Sequence, residues 1–201
     1  MKVNRPILAG IISLASLAPC KAQKGVQLVS ETGFTGVIHK QDVFYTGMNF
    51  CFNSGKKGKN FTDLYAGINV PLKNDKPSFV ALAINNYSWT KNVSSWARGV
   101  FSTTFGNAKT TIEAAPVRVN EKFGKFNFSF GPAYAIYHNF KNRTTTQGFN
   151  PIFQTTYTIN PKVKIFGEFK YTTEPAKNLF DTKFGKFKDN MNYMVACMIN
   201  L

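Results

Sequence analysis

Asn190-Met191-Asn192-Tyr193-Met194-Val195-Ala196-Cys197-Met198-Ile199-Asn200-Leu201 alternates to the end of the chain. Met191, Tyr193, Val195, Cys197, Ile199 and Leu201 fall in one phase. Asn190, Asn192, Met194, Ala196, Met198 and Asn200 fall in the other. A period of two belongs to a β-strand with an apolar face and a more polar one. The length suits a tilted strand crossing a bilayer, which takes about 9–11 residues. Such a strand exposes hydrogen-bonding edges on both sides, and the closing strand of a barrel has both edges paired.

The same pattern recurs upstream. Strands are expected at residues 25–40, 42–53, 61–72, 78–89, 95–105, 110–120, 125–140, 149–159 and 163–172, ahead of the final one. Turn chemistry separates them: 54–60 is rich in Gly, Lys and Asn, Asn160-Pro161-Lys162 is a tight reversal, and Phe123-Gly124-Lys125 is another. The first segment is broken by Gly33 and Gly36. In the seventh, Phe126, Phe128, Phe130, Tyr134, Ile136 and Phe140 alternate with smaller or polar residues. Phe-Gly-Lys-Phe occurs at 123–126 and again at 184–187, which reads as repeated turn chemistry and not as a domain repeat. Long strands, short turns and no helical pattern predict an all-β, up-and-down antiparallel barrel of eight to ten strands, with ten preferred. The chain carries 20 Phe and 8 Tyr. A lipid-facing surface with aromatic girdles accommodates so many rings more readily than one small soluble core.

On these residues the chain resembles small bacterial outer-membrane β-barrel proteins, a porin-like or surface-barrel class. The resemblance implies an outer-membrane location and lipid and lipopolysaccharide as surroundings. It also implies assembly machinery that reads the last strand, here Tyr193, Val195, Cys197, Ile199 and Leu201. The class usually ends on an aromatic residue, whereas this chain ends on Leu201.

The front end reads as a secretory signal peptide over residues 1–22, leaving 23–201 as the barrel domain. Lys2 and Arg5 precede an apolar stretch from Pro6 to Ala18 that is too short to span as a helix. A second reading lipidates Cys20, although Pro19 stands where a small residue is preferred. The formal charge is +15, from 25 Lys and Arg against 10 Asp and Glu. Removing Lys2, Arg5 and Lys21 leaves +12 on the mature chain. An exported chain whose basic residues sit mostly in turns is not expected to bind nucleic acid. Acidic lipid headgroups are the expected counter-charge, and the chain is expected to be a monomer.

Inward phases place Asp63, Lys164, Glu168 and Lys170 in the lumen, where charges must be paired or hydrated. Ten strands with both termini on one side put Lys73, Lys76, Lys141, Arg143, Lys183, Lys186 and Lys188 on the outer rim, together with Lys40, Lys109 and Lys177. Cys51 is expected to point inward and Cys197 outward, so no disulfide joins them. His39 and His138 have no convincing Ser or acid partner. No catalytic residue, metal set or cofactor is therefore expected. The function predicted is a structural or surface-contact barrel with a narrow or closed lumen, engaged in adhesion or lipopolysaccharide contact. The alternatives are a small-solute, anion-preferring channel and a soluble lipocalin-like binding barrel.

Overall fold

Alternating residues make each segment a strand with an apolar face and a more polar one. Ten such strands close on themselves, pairing every edge and turning the apolar face outward. The computed structural model describes residues 26–38, 41–54, 59–72, 76–104, 107–178, 181–186 and 190–201. The expected signal peptide, Lys40, Lys73 and Lys188 lie outside these, as does His39. The strands are β1 (Val26–Val37), β2 (Gln41–Ser54), β3 (Asn60–Pro71), β4 (Ser78–Ser88) and β5 (Val93–Thr104). They continue with β6 (Asn107–Phe123), β7 (Phe126–Asn139), β8 (Thr144–Asn160), β9 (Val163–Tyr171) and β10 (Met191–Asn200). Each pairs antiparallel with its neighbours in sequence, and β1 pairs with β10, giving a closed up-and-down barrel. The closing register runs from Val29 opposite Asn200 to Val37 opposite Asn192. β10 is thus paired on both edges, with β1 and with β9.

The boundaries differ from expectation in particular places. β1 runs unbroken through Gly33 and Gly36. β8 begins at Thr144, not near 149, and β6 at Asn107, not 110. Residues 107–109 and 144–148, expected in outer loops, are therefore strand. The Thr-rich run Thr144-Thr145-Thr146 lacks apolar residues but has the β-branching that suits an extended strand.

Turns close one mouth tightly. Asn160 Oδ1 accepts from the N–H groups of Lys162 and Val163, both at 2.9 Å, and Gly124 supplies a left-handed φ of 57°. The β1 start and the β10 end lie at this mouth. The other mouth carries the long β9–β10 connection, which folds back on β8. Gln147 and Ala176 form a bridge, Thr173 Oγ1 accepts from the Phe149 N–H at 2.9 Å, and Tyr171 stacks on Phe184 at 5.7 Å.

The outward phase is apolar on every strand. It includes Phe34, Phe50, Leu64, Ile68, Phe79, Phe101, Ile112, Val119, Phe130, Phe153, Ile165, Phe169, Val195 and Ile199, all exposed. Ring contacts cluster near the mouths: Tyr87–Trp89 at 4.9 Å and Phe126–Tyr157 at 4.7 Å at the tight-turn mouth, His138–Phe140 at 4.6 Å at the other.

β6 interrupts the alternation. From Ala114 to Val119 it advances five residues while its β7 partners, Tyr134 to Phe130, advance four. A bulge absorbs the extra residue beside Pro116, which has no N–H to give a ladder. Glu113 and Ala115 point inward before it, and Arg118 and Asn120 after it. Without the bulge Arg118 would share the outward face with Ile112, a position that costs about 2–4 kcal/mol at a bilayer midplane.

The seam is closely packed at Gly33. A Cβ there would run into the Val195 carbonyl oxygen and stand 2.7 Å from Ala196 Cα. Gly33→Val is expected to cost about 1–3 kcal/mol through overpacking. It should lower the fraction of protein that migrates as the compact, heat-modifiable species on a gel. An unchanged compact fraction would show that the seam is not so tightly closed.

Candidate functional site

The inward residues of strand after strand meet in the lumen, and the most closely knit of them form an ionic cluster. Arg98 of β5 reaches Glu113 of β6 through Nε at 3.0 Å and Nη2 at 2.6 Å. The same guanidinium reaches Glu168 of β9 through Nη1 and Nη2, both at 3.1 Å. Around the ring β5 and β9 are separated by three strands one way and five the other. The Arg98–Glu168 pair is therefore a strut across the interior, not a contact between neighbours. Lys170 Nζ adds a 2.9 Å pair to Glu113. Gln154 Nε2 donates to Glu168 at 2.6 Å, and Asn150 Nδ2 donates to Glu113 at 2.9 Å. Trp96 lies under both Arg98, at 4.9 Å, and Arg118, at 5.6 Å. Bidentate, charge-assisted geometry is what compensates the removal of such groups from water.

Beside the cluster part of the interior is filled: Ala115, Ala133, Ala135, Asn150 and Ile152 are buried, and Asn150 Nδ2 also donates to the Tyr137 hydroxyl at 2.6 Å. A cavity of about 700 Å³ remains, lined by residues of all ten strands. Its lining runs from Phe61, Lys91 and Asn127 near the tight-turn mouth to Thr35, Asn69 and Asn192 near the other. Much of its wall is apolar. Tyr45, Tyr65, Val80 and Ala196 pack together with Leu82, Val100, Phe166 and Met194. The Tyr65 ring lies over Gly47 and Gly67, where any Cβ would collide with it. Glu31 sits within this wall and accepts from the Tyr45 hydroxyl at 2.8 Å and from Asn49 Nδ2.

Each lumen residue expected from the sequence is found facing inward. Glu168 and Lys170 belong to the cluster. Asp63 and Lys164 line the cavity apart from it. Asp63 Oδ1 accepts from Cys51 Sγ at 3.4 Å, so Cys51 is a hydrogen-bonding partner as well as a small apolar group. Cys51 and Cys197 are both free, one buried inside and one exposed outside. Sequence reasoning missed Glu31, Arg98, Glu113 and Arg118. An even inward phase on β5, shared by Ser94, Trp96 and Arg98, was there to be read. The β6 phase was masked by its bulge. Formally the lumen sets Lys91, Arg98, Arg118, Lys164 and Lys170 against Glu31, Asp63, Glu113 and Glu168.

Of the expected rim, Lys76, Lys141, Arg143, Lys183 and Lys186 are exposed at the mouth bearing the long connection. The opposite mouth is basic too, with Lys59, Lys91, Lys122, Lys125 and Lys162 exposed. His138 faces outward, and its Nδ1 lies 2.8 Å from Thr145 Oγ1. Among the described residues no group of three or more His, Cys, Asp or Glu is placed to hold a metal ion.

No family model matches the chain, and no curated protein matches it. Among solved structures it is similar to the outer-membrane expressed OmpT of Vibrio cholerae, at 10% identity and a TM-score of 0.38, over 79% of this chain and 56% of that one. It is also similar to the NanC porin, at 10% identity and a TM-score of 0.41, over 87% of this chain and 99% of that one. The chain spans 56 to 64% of the length of OmpT structures that it matches.

The cluster has a measurable weight. Arg98→Met leaves Glu113 and Glu168 short of their shared cation and should cost about 3–5 kcal/mol in denaturant unfolding from lipid vesicles. Lys164→Met removes a cation that takes part in none of these pairs and should cost under about 1 kcal/mol. Equal losses would show that the strut does not brace the barrel.

Proposed function

We propose that this chain is an exported, monomeric protein of the bacterial outer membrane, a narrow barrel with a structural or surface-contact role. Two features support the membrane placement. All ten strands turn apolar side chains outward, and closure leaves the backbone without a free edge, as hydrocarbon demands. A soluble lipocalin-like carrier would hold that same apolar surface in water, against the hydrophobic effect. The basic residues of both mouths lie where phosphate-bearing headgroups meet the protein, and ammonium–phosphate pairing there is favourable. On this reading the rim that carries Lys76, Lys141, Arg143, Lys183 and Lys186 contacts lipopolysaccharide, and Tyr193, Val195, Cys197, Ile199 and Leu201 of the last strand are what the assembly machinery reads.

The observation that carries the narrow-lumen reading is the strut from Arg98 to Glu168, which crosses the ring between strands that are not neighbours. On this reading it narrows the path open to solutes. The cavity beside it, lined by residues of both mouths, favours a second reading as a small-solute channel.

Two measurements separate these readings. The protein should sediment with outer membranes and leave them only in detergent; recovery in the soluble fraction would overturn the membrane placement. In planar bilayers the wild type should conduct weakly or not at all, and the double variant Arg98→Ala/Glu168→Ala should conduct several-fold more. Large steady currents from the wild type would establish the channel instead.

A further inference from the structure

Among the described residues, the hydrogen-bond partners of the buried Arg118 are neutral. It is 7% exposed, and its Nη1 donates to Asn86 Oδ1 at 3.1 Å while Nη2 donates to Gln154 Oε1 at 2.5 Å. Both partners are amide oxygens. Arg98 and Lys170, by contrast, are matched to Glu113 and Glu168. The cluster therefore holds three cations against two carboxylates. A guanidinium has five N–H donors in a planar fork that suits a carboxylate. With two bonds made, Arg118 retains donors for an anion, and a buried charge is most costly when none is supplied.

The surroundings describe the rest of such a ligand. Asn86, Ile84, Leu82 and Val80 are successive inward residues of β4, and all four line the cavity. Asn86 holds Arg118, and Ile84 packs against the cluster around Trp96. Leu82 and Val80 belong to the apolar wall that Tyr45, Tyr65, Phe166 and Met194 continue. A single strand thus leads from the under-matched cation into a greasy wall, along one continuous cavity of about 700 Å³.

We infer that the lumen binds a single-chain anionic amphiphile, with a carboxylate head on Arg118 and an aliphatic tail along Ile84, Leu82 and Val80. This goes beyond the structural role proposed above and rests on the interior alone. It holds for a closed barrel and for a conducting one.

The chain has two Trp, Trp89 on the exterior and Trp96 beneath Arg118. In full-length protein folded in a non-ionic detergent, Trp89→Phe leaves Trp96 as the reporter of the site. Titration with sodium octanoate should change Trp96 fluorescence saturably, while acetate and octanol at equal concentration should not. Arg118→Gln should weaken octanoate binding at least tenfold, and so should Leu82→Asn, which leaves the cation in place. Both are read only in protein that keeps heat-modifiable migration; Arg118→Lys, which retains charge but loses the fork, stands in if Arg118→Gln does not fold and should also weaken binding. Absence of a saturable change would overturn the inference. So would acetate binding as well as octanoate, which would mark a plain anion site, or octanol binding as well as octanoate. Insensitivity to the substitutions would overturn it too.

Discussion

On the proposed membrane placement, an unpaired strand edge is the one thing this architecture cannot carry into hydrocarbon. Each backbone N–H or C=O left without a partner there costs several kcal/mol, so the ladder must run round the ring without a gap. The β1–β10 seam is where that requirement falls, because its strands come from opposite ends of the described chain. Small residues meet there: Gly33 stands opposite Ala196, and a larger group at Gly33 would push the strands apart. The apolar exterior and the sheltered interior both follow from that closure. Once the ring is shut, an alternating sequence has no choice but to sort its side chains to two different media.

Inside, the ring of ten strands is too wide for small side chains to fill and too narrow to leave charges fully hydrated. The protein meets this with two devices. On one side Ala115, Ala133 and Ala135 allow β6, β7 and β8 to fill with Asn150, Tyr137 and Ile152. Across the middle Arg98 ties β5 to β9 through Glu168, and Glu113 of β6 holds the same guanidinium. The Tyr65 ring, laid on Gly47 and Gly67, smooths the far wall instead of crossing it. The result is an amphipathic interior, with fixed charges facing an apolar surface.

Much of the fold could be read in the chain because strand phase is a local property. β10, β7 and β9 show their two faces in sequence alone, and the inward placement of Asp63, Lys164, Glu168 and Lys170 follows from parity. Two things could not be read that way. A bulge changes parity midway, so the residues 113–118 look out of step until the pairing with β7 is known. Pro116 was a signal that the ladder is interrupted there. The second is the strut. Arg98 and Glu168 are 70 residues apart, and the contact depends on which strands face one another across the ring. Periodicity tells which face a residue takes, not what stands opposite it. The start of β8 was missed for a simpler reason, since Thr144–Thr146 carry no apolar beat.

On the proposed placement, closure sets the outward phase of the strands in acyl chains and the inward phase in a protected lumen. Spin labels introduced one at a time along Met191–Asn200, in protein reconstituted into lipid vesicles, measure it through relaxation by dissolved oxygen and by a water-soluble nickel complex. A two-residue oscillation is expected, with oxygen favoured at Tyr193, Val195, Cys197 and Ile199 and not at Asn192, Met194, Ala196 and Met198. Uniform exposure to the nickel complex, or a period near that of a helix, would contradict it.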